Sequence, residues 1–245
     1  MMAEFISETK AGTAITRLVL LRHGQSIWNR DKMFTGWSDV ALSSKGEQEA
    51  ERAGVLLQQA DFILDCCFSS TLQRAFETAR IVLSAMALKL PVQKCWRLNE
   101  RHYGALEGLG RLAAVRKFGL WPVLRTQISY DGEPPRLEMD DARFPGNQSG
   151  YAGIDVKELP LGESLRLAAQ RLQPCWQRII KPELEHGRNV LIVSHKNLLR
   201  TLMGQLEHLT PQQVMKLKLP TGRPLVYELD RTLKPVRHYY MDEIS

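Results

Sequence analysis

Long apolar runs are missing from this chain. Stretches such as Leu18–Leu21 end at Arg22-His23, far short of the about 20 residues that cross a bilayer as a helix, so no membrane partner is expected. Cysteine is scarce. Cys66, Cys67, Cys95 and Cys175 include no C-x-x-C pair and no Cys/His set at zinc-ligand spacing. The expectation is reduced, buried thiols in a reducing, cytoplasmic compartment, with no metal site. Polybasic tracts are absent as well. The 33 basic residues are interleaved with 27 acidic ones for a net charge of +6, a modest surplus that suits a small anionic molecule and gives no reason to expect nucleic acid. The first residues, Met1–Thr16, carry Glu4 and Glu8 and lack the apolar centre of a signal peptide; a flexible polar extension is expected there.

What remains is an ordinary globular composition. At 245 residues, 44% hydrophobic and 24% charged, the chain has room for one large domain over 17–245, whose core needs neither disulfides nor metals. Strands are expected at Arg17–Leu21, Phe62–Phe68, Pro91–Cys95, Asn189–Val193 and, last, Leu225–Leu229. Helices are expected at Lys45–Gln59, Ser70–Met86, Glu163–Leu184 (interrupted by Pro174 and Pro182) and Asn197–Leu206. Ser44 and Glu47 have the spacing of a capping box for the first helix, which should bury Ala50, Ala53, Val55 and Leu57. Residues 110–161 are rich in Gly, Pro and charge, as at Pro134-Pro135 and Phe144-Pro145-Gly146, with one short helical piece near Leu112–Phe118. A loop-rich excursion of this length reads as a lid or an inserted subdomain, and an inserted lid segment over 110–161 is the expectation. Alternating strands and helices predict a three-layer α/β fold, a mostly parallel sheet with helices on both faces.

Two segments share one pattern. Leu18–Leu21 delivers Arg22-His23-Gly24, and Val190–Val193 delivers Ser194-His195-Lys196. Each apolar strand places a histidine at its carboxyl end, the edge where open α/β sheets bind ligands. A histidine after one strand is more often a buried structural residue; the repetition, with an Arg beside one copy, brings the two readings level. Arg74 lies near the start of a helix, where it is either a solvated surface residue or a fork for an anion. Glu100, in Asn99-Glu100-Arg101-His102-Tyr103-Gly104, is either an ion-pair partner or a proton carrier.

Together these positions resemble the histidine phosphatase superfamily and, within it, the 2,3-bisphosphoglycerate-dependent phosphoglycerate mutases. The Arg22-His23-Gly24 signature marks the superfamily. The more specific likeness lies in Phe34-Thr35-Gly36-Trp37, Leu98–Leu106, Leu159–Leu165 and Pro220–Glu228. The resemblance implies an isomerase of glycolysis and gluconeogenesis that interconverts 3- and 2-phosphoglycerate, primed by 2,3-bisphosphoglycerate and needing no metal. It implies His23 as the nucleophile that becomes a phosphohistidine, Glu100 as the general acid/base, and Arg22, Arg74 and His195 around the transferring group. Asn29, Thr35, Gly36, Arg101, His102, Tyr103, Arg111, Lys196 and Asn197 complete the implied substrate site. A homodimer or homotetramer, and a C-terminal tail (Arg237–Ser245) folded over the site, are implied in the same way.

Four departures from that pattern stand out. Gln25 replaces a Glu, Arg111 replaces a Lys, and Lys196 replaces a glycine whose positive φ a lysine would adopt only at a cost. Gln127-Ile128 occupies the place of a paired-arginine clamp for the second phosphate, with Arg125 the nearest cation. A weakened clamp would lower mutase output or raise hydrolysis, so a histidine-type or bisphosphoglycerate phosphatase is the alternative enzyme. An inactive metabolite-binding protein is the alternative outside enzymes.

Overall fold

The computed structural model describes residues 15–243. The expected N-terminal extension lies outside those residues except at its end, where Thr16 is already the first residue of a strand. In chain order the regular elements begin with β1 (Thr16–Arg22), α1 (Ile27–Arg30), α2 (Ser44–Gln59), β2 (Cys66–Ser69), α3 (Gln73–Ala85) and β3 (Val92–Lys94). The segment expected as a lid follows with α4 (Arg111–Phe118) and α5 (Leu120–Ile128). The chain then returns through α6 (Leu165–Cys175), α7 (Lys181–Glu185), β4 (Val190–Ser194), α8 (Lys196–Leu206), α9 (Pro211–Lys216), β5 (Leu225–Leu229) and β6 (Pro235–Tyr240).

The six strands form one sheet in the order β3-β2-β4-β1-β5-β6. The first four run parallel, and β5 pairs antiparallel with both β1 and β6. Alternation along the strands builds two cores. Leu18, Leu20, Phe68, Val190 and Ile192 face α6 and α8, meeting Leu172, Cys175, Leu198 and Leu202. Val19, Leu21, Cys67, Leu191 and Val193 face α2 and α3, meeting Ala53, Leu57, Ala79 and Val82. A buried parallel strand must satisfy both faces, which is why these segments read as continuous apolar runs. Residues 110–161 share two small cores with the loops that precede them, one where Phe144 and Tyr151 meet Trp37 and another where Ala114 and Val123 meet Phe34 and Leu106.

Several expected boundaries move for local reasons. The first long helix is capped by Ser43, whose hydroxyl accepts from Gly46 N, and not by Ser44. Gly54 is buried in that helix while Val55 is only half-buried. The strand expected from Phe62 begins at Cys66, because Asp61 turns the chain with φ of 47° and Phe62 and Leu64 plug the core beneath α2. The helix expected from Ser70 begins at Gln73. Leu72 is extended, Thr71 N and Oγ1 both donate to Asn99 Oδ1, and the Asp39 carboxylate accepts from Gln73 N at 2.7 Å, so the helix is capped from a distant loop. Pro174 is accommodated inside α6, and the helical path continues through a wide turn at Trp176–Ile180 into α7.

Helix α5 and strand β6 had no expectation. Leu120, Trp121 and Ile128 of α5 are exposed, and its buried residues are Val123 and Thr126. Strand β6, not Leu225–Leu229, is the last strand. It is a charged edge tied down by Arg237 to Glu228, the kind of protected edge that carries little hydrophobic signal. The same pairing corrects the expected tail. Residues 237–240 run along β5, Met241 is buried against the α2 side of the sheet, and no described tail residue lines the central cavity.

Candidate active site

The carboxyl edge of the parallel strands gathers the chemistry. Arg22 pairs in register with Ser194, and His23 N donates to Ser194 O at 3.0 Å, so β1 and β4 deliver their histidines side by side. The His23 and His195 rings lie 4.9 Å apart. The loop after β1 can press onto the start of α2 because Gly24 and Gly46 meet face to face: a Cβ on Gly24 would sit 2.1 Å from Gly46 O.

His23 Nδ1 lies 2.6 Å from Gly24 O. A carbonyl only accepts, so Nδ1 carries the hydrogen and Nε2 keeps its lone pair toward the cavity. Burial, then the charges of Arg74 and Arg22, hold the His23 pKa well below the ordinary histidine value. The ring is therefore a neutral base at neutral pH. Burial and Arg74 depress His195 in the same direction; its Nε2 pairs with Ser70 Oγ at 2.8 Å, while its buried Nδ1 has no partner.

Arg74 is 1% exposed. Its guanidinium donates to Ser38 O at 2.9 Å and Gly36 O at 2.7 Å. Burial pulls its pKa down to about 10 against the pull of Glu100, which leaves it charged at neutral pH. Gly36 can present that carbonyl because its φ is +50°, and a Cβ there would fall 1.8 Å from Glu107 Oε1. Arg22 donates to Leu219 O and keeps a buried, unpartnered Nε. Arg101 reaches up to the lid, donating to Thr126 O at 2.9 Å, and its Nε is also unpartnered. Glu100 accepts from two backbone amides, Arg101 N at 2.7 Å and Asn197 N at 3.4 Å.

These groups open onto one cavity of about 430 Å³. Seven cationic side chains line it and Glu100 is its one lining carboxylate. Of the expected residues, Arg22, His23, Arg74 and Glu100 line it, as do Asn29, Thr35, Gly36, Arg101, Tyr103, Arg111, Lys196 and Asn197. His195 lies directly behind His23. His102 is the exception. Its backbone N donates to Glu163, its Nδ1 accepts from Gly104 N, and its ring packs 5.5 Å from Trp37, away from the cavity. Lys196 needs no positive φ, since it is the first residue of α8. Gln25 also stays off the cavity wall and accepts from Ser43 Oγ. Sequence reasoning passed over Lys32, Trp28 and Arg200. Arg200 had a usable signal, its position four residues after Lys196 on one helix face.

Glu107 is the hidden support of this site. Its Oε1 accepts from Trp37 N and Tyr103 N, both at 2.9 Å, and its Oε2 from Ser38 Oγ. It thereby joins the loop that holds Arg74 to the loop that carries Glu100. Burial pushes its carboxyl pKa from 4.5 up to about 7, against the lowering effect of those donors. Between those values the folded protein keeps a proton that the unfolded chain has lost, so this group's contribution to stability falls as pH rises through the window. The buried histidines contribute the opposite slope below their unfolded pKa. Glu107→Gln isolates the carboxyl. The wild-type-minus-variant unfolding free energy should fall by on the order of 3 kcal/mol between pH 5 and pH 8 in urea denaturation, and a flat difference would refute this account.

Among the described residues no group of three or more His, Cys, Asp or Glu is placed to hold a metal ion. The cavity residues do fit an acceptor-rich polyanion such as 2,3-bisphosphoglycerate, because Arg22 and Arg101 line it with unpartnered Nε atoms, and the unpartnered Nδ1 of the buried His195 belongs to the ring 4.9 Å from that of His23. The sequence model of the histidine phosphatase superfamily (branch 1) matches residues 18–240. A 2,3-bisphosphoglycerate-dependent phosphoglycerate mutase 1 from Nitrosomonas europaea is 57% identical over 226 residues, 92% of this chain and 97% of that protein. Among solved structures, a putative alpha-ribazole-5'-P phosphatase from Escherichia coli superposes with a TM-score of 0.70 at 22% identity, covering 92% of this chain and 94% of that one. YhfR from Bacillus stearothermophilus does so with a TM-score of 0.67 at 27% identity, covering 88% and 92%. The chain belongs to the histidine phosphatase superfamily, branch 1, and within it to the 2,3-bisphosphoglycerate-dependent phosphoglycerate mutases.

Proposed function

We propose that this protein interconverts 3-phosphoglycerate and 2-phosphoglycerate, the glycolytic and gluconeogenic step, by passing a phosphoryl group through His23. The observation that carries the reading is the His23 ring itself: a neutral imidazole with Nδ1 tied to Gly24 O and Nε2 free, beside the buried Arg74 and half-buried Arg22 guanidiniums in a cavity lined by seven cations.

His23 Nε2 attacks phosphorus in line, forming the P–N bond as the P–O bond to the leaving oxygen breaks. Arg22 and Arg74 neutralise the charge on the equatorial oxygens; in a loose transition state such positioning and charge are most of the catalysis. His195 Nδ1 is the nearby unpartnered group for the phosphoryl once it sits on His23. Glu100 returns a proton to the leaving oxygen and takes one from the hydroxyl that next attacks. The phosphoryl thus leaves His23 for one oxygen of the glycerate and returns to it from the other. When bound, 2,3-bisphosphoglycerate supplies the phosphoryl group that first charges His23.

One observation favours a hydrolytic output: Gln127 lines the cavity and Ile128 is turned outward, 57% exposed, where the resemblance implies an arginine pair. The test measures mutase turnover and 2,3-bisphosphoglycerate hydrolysis side by side, with and without added 2,3-bisphosphoglycerate and with a chelator. Turnover that rises with 2,3-bisphosphoglycerate and ignores the chelator is expected. Dependence on a divalent cation overturns the mechanism, and hydrolysis that outruns isomerisation makes the phosphatase reading the main one. No described helix is long and apolar enough to cross a membrane; a cytoplasmic location and assembly as a homodimer or homotetramer complete the reading, the latter checked by sedimentation.

A further inference from the structure

Lys196 and Arg200 stand one turn apart on α8 and both line the cavity. Arg200 donates through Nε and Nη2 to Leu217 O, which fixes the guanidinium, and its Nη1 has no partner among the described residues. Lys196 has no carboxylate within ion-pair distance and no hydrogen-bond partner among the described residues. Both are half-buried. Across the cavity the lid offers the neutral Gln127, and Arg125 on the same helix does not reach the lining. This wall therefore holds two cations with neither a partner acid nor full hydration, beside Arg22 and Arg101 with their own unpartnered Nε atoms.

Burial and the neighbouring Arg200 and Arg22 lower the Lys196 pKa, and burial together with Arg101 acts on Arg200 in the same direction, Glu100 opposing in both cases. Like charges held together in a half-buried wall repel, and an anion placed between them relieves that repulsion and fills the open donors. One phosphoryl beside His23 is already met by Arg22 and Arg74. The α8 pair is surplus to it.

Resting on the reaction proposed above, we infer that Lys196 and Arg200 form the subsite for the second phosphate of a bisphosphorylated three-carbon acid, so that α8 supplies the hold that the lid lacks. Lys196 is then a specificity-determining residue: it discriminates bisphosphorylated from monophosphorylated ligands.

The test measures equilibrium binding of 2,3-bisphosphoglycerate and of 3-phosphoglycerate by calorimetry, in the His23→Ala background so that no phosphoryl transfer disturbs the titration. Lys196→Met keeps the aliphatic stem and removes the charge; the exposed Lys89→Met serves as a control for net charge. Lys196→Met is expected to weaken 2,3-bisphosphoglycerate by about tenfold or more and 3-phosphoglycerate by less than about threefold, with Lys89→Met changing neither. An unchanged ratio of the two affinities, whether both fall together or neither falls, overturns the subsite. Thermal melting of each variant checks folding, and Lys196 makes no structural hydrogen bond whose loss would disturb it. Labelled 2,3-bisphosphoglycerate with the wild type separates the two claims: label on the protein with an unchanged ratio removes the subsite alone, whereas no label removes the proposed reaction.

Discussion

Replacing His23 by alanine is expected to abolish phosphoglycerate turnover, a loss on the order of 10⁶-fold by comparison with deletion of other enzymic nucleophiles, and to leave no acid-labile phosphate on the protein. The fold should survive. The ring makes one hydrogen bond, to the carbonyl of the next residue, while the backbone link to Ser194 O and the Gly24–Gly46 contact do not depend on the side chain. The variant also carries a stability signature. Because burial keeps His23 neutral in the folded state, the unfolded chain binds a proton below about pH 6.5 that the native state refuses. The wild type therefore loses stability from this group as pH falls through that value, and the variant lacks that loss. Turnover within tenfold of wild type, or label on the alanine variant, would end the proposal that this imidazole carries the phosphoryl group.

The two strand-to-histidine junctions were legible because they combine signals that survive without coordinates. An apolar run of four ends on a charged or polar residue, and the parallel sheet's carboxyl edge does the rest. Arg74 and Glu100 were legible as candidates, and their choice between structural and chemical roles needed the cavity. What stayed hidden is long-range. Glu163 and Arg171 form a buried pair at 2.6 Å, and Arg171 also donates to the carbonyls of Arg97, Asn99 and Glu100. That clamp holds the backbone on which Glu100 and Arg101 sit, yet Glu163 and Arg171 are separated from that backbone by the loop-rich residues 110–161. His102 was misplaced for the same reason: it is flanked by cavity residues, and only the bond from Gly104 N to its Nδ1 and the ring contact with Trp37 show that its side chain turns inward. The caps follow suit. Asp39 caps α3 from a loop 34 residues upstream, a partner that no local capping pattern contains.

The clamp explains why Glu100 can work among so many cations. Its carboxylate is held by two backbone amides and its own carbonyl by Trp37 Nε1 and Arg171, so it neither swings onto a neighbouring guanidinium nor leaves the cavity. Glu100→Gln is the sharp probe of that placement. The amide keeps the shape and still accepts from Arg101 N through its oxygen, but it can no longer take a proton. Turnover is expected to fall about 10²–10⁴-fold, the usual worth of a positioned general acid/base. Affinity should move the other way. Glu100 is the one carboxylate among seven lining cations, so removing its charge strengthens the hold on phosphorylated ligands by roughly a few fold. A residue that merely braced the loop would lose affinity and turnover together. The measurement is therefore kcat and substrate affinity in one series: a large drop in kcat with KM unchanged or lower supports proton transfer through this carboxylate, and a KM that rises in step with the loss of kcat would assign Glu100 to structure instead.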